Sequence, residues 1–257
     1  MMKFESISLE LGGNPVLRNV SLDLQPGSVT VVLGPNGTGK SSLLKVASGE
    51  WSATQGEVRL YDQPVKEWRA EERAKIMGVL PQESTLNFPY LVQEVVMLGR
   101  TPHATGLARD TEIVDQALHQ VDCQHLRQRL YTVLSGGEKQ RIQFARVLAQ
   151  IWEPQGDKAP VMLLDEPSAS FDIEHQLALI SIVRALAEKG YLIVMVLHDL
   201  NLAASCADQM VLLRCGEIAA QGAPDQVITQ ANIKHIFNVE ADVVSLPGRR
   251  TPVVVPR

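Results

Sequence analysis

Apolar residues recur at every second position along the first two dozen residues. Ile7, Leu9 and Leu11, then Val20, Leu22 and Leu24, flank the turn Gly12-Gly13-Asn14-Pro15, a pattern that predicts an antiparallel hairpin. After Pro26-Gly27 the alternation gives way to a β-branched, almost unbroken apolar run over residues 28–33, as expected of a strand covered on both faces. That run enters a glycine-rich loop, and residues 41–49 then fit a helix that turns Leu44 and Ala47 inward and ends at Gly49. Residues 56–61 alternate again and predict a second hairpin, and residues 76–80 predict a short strand.

From about residue 94 to 130 the period lengthens. Ile113, Ala117, Leu118 and Val121 share one helical face, opposite acidic and amide residues. Residues 160–165 and 192–197 read as two central strands joined by a helix over 177–189, a strand–helix–strand crossover. The Pro/Gly-containing stretch 153–160 is a connection, residues 223–257 form a short helical and extended tail, and there is no internal repeat. These elements predict an α/β core (1–93 and 157–257) with an N-terminal antiparallel β subdomain, interrupted by an inserted helical subdomain at 94–156, all within one domain.

Composition narrows the classes. With 45% hydrophobic and 21% charged residues over 257 positions, the chain belongs with folded globular proteins. A net charge of -5 without any long Lys/Arg run argues against nucleic acid as a partner. The apolar run at 191–197 is far short of the roughly 20 residues that cross a bilayer. Met1 to Glu5 carries no secretory pattern, so a cytoplasmic location is expected. Three scattered cysteines, Cys123, Cys206 and Cys215, suit neither a disulfide framework nor a zinc site.

The chemistry concentrates in Gly34-Pro35-Asn36-Gly37-Thr38-Gly39-Lys40-Ser41, placed between a strand and a helix. Backbone N–H groups can wrap a polyphosphate only where side chains are absent, and the helix N-terminus adds partial positive charge. Lys40 reaches toward the β- and γ-phosphates, Ser41 presents a hydroxyl to Mg²⁺, and Ser42 assists. This loop implies a nucleoside triphosphate with Mg²⁺. Asp165 and Glu166 follow at the end of an apolar strand, where open α/β sheets hold ligands. Beside the loop, Asp165 is the expected water-mediated Mg²⁺ partner, and Glu166 the group that polarises the attacking water. His198, ending the next strand, can donate a hydrogen bond to the transferring phosphoryl group.

Leu134-Ser135-Gly136-Gly137-Glu138, thirty residues before Asp165 and opening a helix over 139–150, resembles the signature of the ATP-binding cassette family. Gln82 falls where that family has its glutamine loop, and residues 168–172 resemble its short D-loop, with Phe171 where leucine is usual. The resemblance spans about residues 3–255 and implies a P-loop NTPase (RecA-like) fold that hydrolyses ATP with Mg²⁺. It implies a head-to-tail homodimer in which Ser135, Gly136, Gly137 and Glu138 complete the site of the other copy, while Gln82 senses Mg²⁺ and the γ-phosphate. An importer subunit on two transmembrane permease subunits, at the cytoplasmic face of the inner membrane, is implied as well. Residues 80–103 resemble the branch importing haem, ferric siderophores and vitamin B12, and residues 122–131 and 145–150 are most similar to its haem importers, which work with a periplasmic haem-binding protein. His103, His119 and His125 are read as surface or packing residues. Where the family often stacks an aromatic side chain on adenine, this chain has Leu11, helped by Val16.

Overall fold

A computed structural model describes residues 1–82, 86, 88–248 and 251–257. Residues 83–85 and 87, part of the importer-like stretch, lie outside the described residues. In chain order the elements are β1 (Met2–Leu11), β2 (Asn14–Leu24), β3 (Ser28–Leu33), α1 (Lys40–Ser48), β4 (Gln55–Leu60), β5 (Gln63–Pro64), α2 (Ala70–Ile76) and β6 (Met77–Leu80). There follow α3 (Val92–Met97), α4 (Leu107–Gln120), α5 (Gly136–Gln150), β7 (Val161–Asp165), α6 (Ile173–Glu188) and β8 (Leu192–Val196). The chain closes with α7 (Leu200–Cys206), β9 (Gln209–Arg214), β10 (Glu217–Gly222), α8 (Pro224–Val227), α9 (Gln230–Phe237), β11 (Ala241–Val244) and β12 (Val253–Pro256).

The described strands form three sheets. The N-terminal hairpin joins an antiparallel sheet of order β2-β1-β4-β5, and the core sheet runs β10-β9-β3-β8-β7-β6. In the core sheet β9, β3, β8, β7 and β6 are parallel and β10 is an antiparallel edge. The second hairpin expected around residues 56–61 is short: β4 pairs mainly with β1, from Met2↔Leu60 to Ser8↔Gln55, and with β5 only at Arg59 and Leu60. Burying Phe4 and Val58 together on one face favours the longer partnership.

The unbroken apolar runs resolve into two faces. Val29, Val31 and Leu33 of β3, Met162 and Leu164 of β7, and Ile193 and Met195 of β8 join the cluster beneath α3 to α6. Val32, Leu163, Val194 and Val196 point the opposite way, into the cluster built by α1 and the antiparallel sheet. Both faces of a parallel sheet are covered, so period-two alternation persists with almost no polar residue to reveal it, and even Thr30 of β3 is buried. On α4, Ile113, Ala117 and Leu118 are buried as expected, and α3, α4 and α5 pack on one another.

Two helices begin earlier than their apolar periodicity suggests. Ser135 caps α5, so it opens at Gly136, and Asp172 caps α6, with its Oδ1 accepting from the His175 N–H at 2.9 Å, so that helix opens at Ile173. Among the described residues no helix is long and apolar enough to cross a membrane. The tail folds back on the core: Val254 of β12 is buried, and the Asn201 side chain of α7 pairs with its peptide in both directions, at 3.1 and 2.8 Å.

Candidate functional site

The glycine loop leaves β3 in the middle of the core sheet and turns straight into α1. Gly34 has φ +152°, and a Cβ there would lie 2.3 Å from the Leu213 carbonyl oxygen; at Gly39, φ +94°, it would lie 2.8 Å from both Leu17 Cδ2 and the Val16 carbonyl oxygen. These two glycines therefore let the loop press against its own protein neighbours as well as a ligand. Lys40 is buried, and its ammonium donates to the carbonyls of Gly34 and Pro35 at 2.8 and 3.0 Å. Burial lowers the Lys40 pKa, while Glu166 and Asp165 pull it back up.

Asp165 ends β7, beside Lys40 and Ser41. Burial raises its carboxyl, opposed by the Ser41 hydroxyl, and its Oδ1 is buried without a hydrogen-bond partner. An orphaned buried carboxylate oxygen next to a serine hydroxyl suits a hard divalent cation that takes oxygen ligands and completes its shell with water and phosphate. Among the described residues no group of three or more His, Cys, Asp or Glu could hold a metal.

Glu166 adopts φ +51°, unusual for a residue with a side chain, with its N–H on the Val196 carbonyl at 3.1 Å. Its Oε1 is hydrogen-bonded to Nε2 of His198. His198 follows β8, and directly after it Asp199 caps α7, accepting from the N–H groups of Asn201 and Leu202 at 2.7 and 3.0 Å. Sequence reasoning overlooked this cap, although Asp before an apolar helix is its usual signal.

The parts converge on an open cleft of about 640 Å³ lined by Leu11, Val16, Asn36, Gly37, Gly39, Lys40, Ser41, Ser42, Gln82, Glu166 and His198. Gly34, Pro35, Thr38 and Asp165 support it from behind: Thr38 Oγ1, for one, donates to the Pro35 carbonyl at 2.9 Å. Ser135, Gly136, Gly137 and Glu138 do not line it. Ser135 and Glu138 form a reciprocal cap, in which Glu138 Oε2 accepts from the Ser135 N–H and hydroxyl, each at 2.7 Å, and the Glu138 N–H donates to Ser135 Oγ at 3.3 Å. The Ser135 N–H first, and its hydroxyl second, hold the Glu138 carboxyl below its ordinary value. Of the three histidines set aside, His103 donates from Nε2 to the Gln150 carbonyl at 2.6 Å, and His119 and His125 are exposed.

A family profile described as ABC transporter matches residues 17–169. The chain belongs to the ABC transporter family. Among its relatives, the hemin import ATP-binding protein HmuV of Gloeobacter violaceus is 46% identical over 100% of this chain and 94% of its own length. HmuV of Plesiomonas shigelloides is 47% identical over 94% and 96%. A solved structure described as an inward-facing metal-chelate type ABC transporter superposes with a TM-score of 0.82 at 26% identity, over 100% of this chain and 97% of that one. An ATP-binding cassette in its ADP conformation, 21% identical over 93% and 98%, shares the fold at a TM-score of 0.79. The family and the α/β P-loop NTPase fold expected from the motifs are thus borne out, and this ABC ATPase chain keeps its phosphate loop, Asp165, Glu166 and His198 around one cleft.

Proposed function

We propose that this chain is the ATP-hydrolysing subunit of a haem importer. The observation that carries the cargo is the end-to-end similarity to hemin import ATP-binding proteins, 46% over the full chain. In this reading the subunit works as a head-to-tail homodimer on two transmembrane permease subunits, at the cytoplasmic face of the inner membrane, and a periplasmic haem-binding protein delivers the haem.

The chemistry follows from the cleft. The loop amides, the α1 N-terminus and Lys40 hold the polyphosphate, with Lys40 exchanging its carbonyl partners for phosphate oxygens. Ser41, Asp165 through water, and Gln82 would hold Mg²⁺, which would offset the negative charge of the β- and γ-phosphates. Glu166 takes the proton of a water whose oxygen attacks the γ-phosphorus, and the bond from that phosphorus to the β-bridging oxygen breaks. His198 holds the Glu166 carboxylate and faces the transferring group. Ser135 and Gly137 close the site from the other copy, and Glu138 acts behind Ser135 as its clamp. Leu11 and Val16 contact the base.

Reconstitution tests the assignment. ATPase activity of the subunit with its permease partners in liposomes should rise when haem-loaded binding protein is added, and not with ferric siderophore or cobalamin carriers. Stimulation by one of those carriers in place of haem would reassign the cargo.

A further inference from the structure

Gln140 lies one turn into α5, beyond the signature residues. Its amide works in both directions. Nε2 donates to the carbonyl oxygen of Glu166 at 2.8 Å, and Oε1 accepts from the N–H of Ser170 at 3.3 Å. Both groups belong to the segment joining β7 to α6.

That segment begins from a left-handed backbone, φ +51° at Glu166, which a residue with a side chain keeps only when its surroundings dictate it. Two of the groups that dictate it come from the core: the Val196 carbonyl receives the Glu166 N–H, and His198 holds the carboxylate; within the segment itself, the Ala169 N–H reaches the Glu166 carbonyl at 3.3 Å. Gln140 comes from the helical layer. The start of its helix lies against the same segment, because a Cβ on Gly137 would sit 3.0 Å from the Ser170 carbonyl oxygen. Gln82, Gln140, Gly136 and Ser170 also border one small cavity of about 200 Å³.

We propose that Gln140 is a positioning residue that holds the backbone of Glu166 so that its carboxylate faces the cleft, and ties that orientation to the signature helix of the same subunit. The proposal rests on the hydrolytic role given to Glu166 above. Its consequence is directional: Ser135 and Gly137, at the head of α5, meet the nucleotide of the other copy, while Gln140 grips the hydrolytic residue of its own. Seating of one ATP is thereby felt at the other site through a single amide.

The full-length protein carries the test, with Gln140→Ala and Gln140→Glu compared against the native chain and Glu166→Gln. Gln140→Ala should lower kcat about tenfold, as loss of one directed hydrogen bond to the reacting group's backbone would, with the ATP KM within about twofold and the Hill coefficient for ATP falling toward 1. Gln140→Glu retains an acceptor for Ser170 but no donor for Glu166, so it should be impaired at least as much. Native activity in Gln140→Glu would overturn the proposal, as would Gln140→Ala within twofold of native turnover or a parallel loss of kcat and ATP affinity. Should Gln140→Ala melt early, the near-isosteric Gln140→Glu decides by the same readouts. If Glu166→Gln itself turns over normally, the hydrolytic assignment falls; if it is inactive while both Gln140 variants are normal, only the positioning role falls.

Discussion

Nε2 of His198 is hydrogen-bonded to Oε1 of Glu166, across 32 residues of sequence and between the ends of two adjacent parallel strands. A carboxylate held this way has one oxygen occupied and one free to meet water. Glu166→Gln keeps the shape and loses the base, so ATP should bind with native affinity while turnover falls by 100-fold or more, on the order of general-base loss. His198→Ala should also lower kcat, since it frees the carboxylate to rotate. Phosphate release, measured beside nucleotide binding, checks both, and near-normal release by Glu166→Gln would sink the assignment.

Leu11 is exposed and lines the cleft together with residues of the phosphate loop. Replacing it with Phe supplies a ring face for the base, and stacking is typically worth about 1 to 3 kcal/mol. Leu11→Phe should therefore tighten ATP at least roughly fivefold. Titration calorimetry with ATP and with tripolyphosphate separates the cases: only ATP should gain.

Asp165 sets stability against function. Its carboxyl lies above its ordinary 3.8 because of burial, so at neutral pH the folded chain carries an ionised group it would rather see protonated. Without metal, Asp165→Asn should raise the Tm by roughly 1–3 °C at neutral pH. The gain should vanish as the pH falls toward that of the free carboxyl, where the native group is neutral as well. Mg²⁺-dependent hydrolysis should fall in the same variant. Melting curves in chelator at both pH values check the sign, and a lower neutral-pH Tm for the variant would contradict it.

The thiols should separate cleanly. Burial pushes Cys123 up to about 11 and Cys206 up to about 12, whereas Cys215 is exposed. Alkylation of the native protein near pH 8 should label Cys215 alone, because the thiolate is the nucleophile and the other two are neither ionised nor accessible. Mass spectrometry should count one adduct in the native chain and three after denaturation.

How much of this was legible in the sequence depends on the range of the forces involved. The phosphate loop, Asp165, Glu166 and His198 were readable because each closes a strand, and strand ends in a parallel sheet gather at one edge. The stripe on α4 was readable from its own period. The starts of α5 and α6 were missed because Ser135 and Asp172 act through caps outside the apolar pattern. The hairpin at residues 56–61 was legible from its alternation and forms between β4 and β5, but the longer pairing of β4 with β1 was not, because β1 lies some fifty residues away. Gln140 left no local trace at all: its two bonds reach 26 and 30 residues onward, and only packing of the helical layer on the core brings them into range.

The two carbonyl bonds of Lys40 also act as a filter. A lone anion such as inorganic phosphate must win the ammonium away from Gly34 and Pro35 and offers few contacts in exchange. A triphosphate reaches the ammonium, the loop amides and the head of α1 together, and can outbid the loop where a single phosphate cannot. On the proposed reading the loop would therefore discriminate by the number of phosphates in a row, and a cell rich in free phosphate would leave its latch undisturbed.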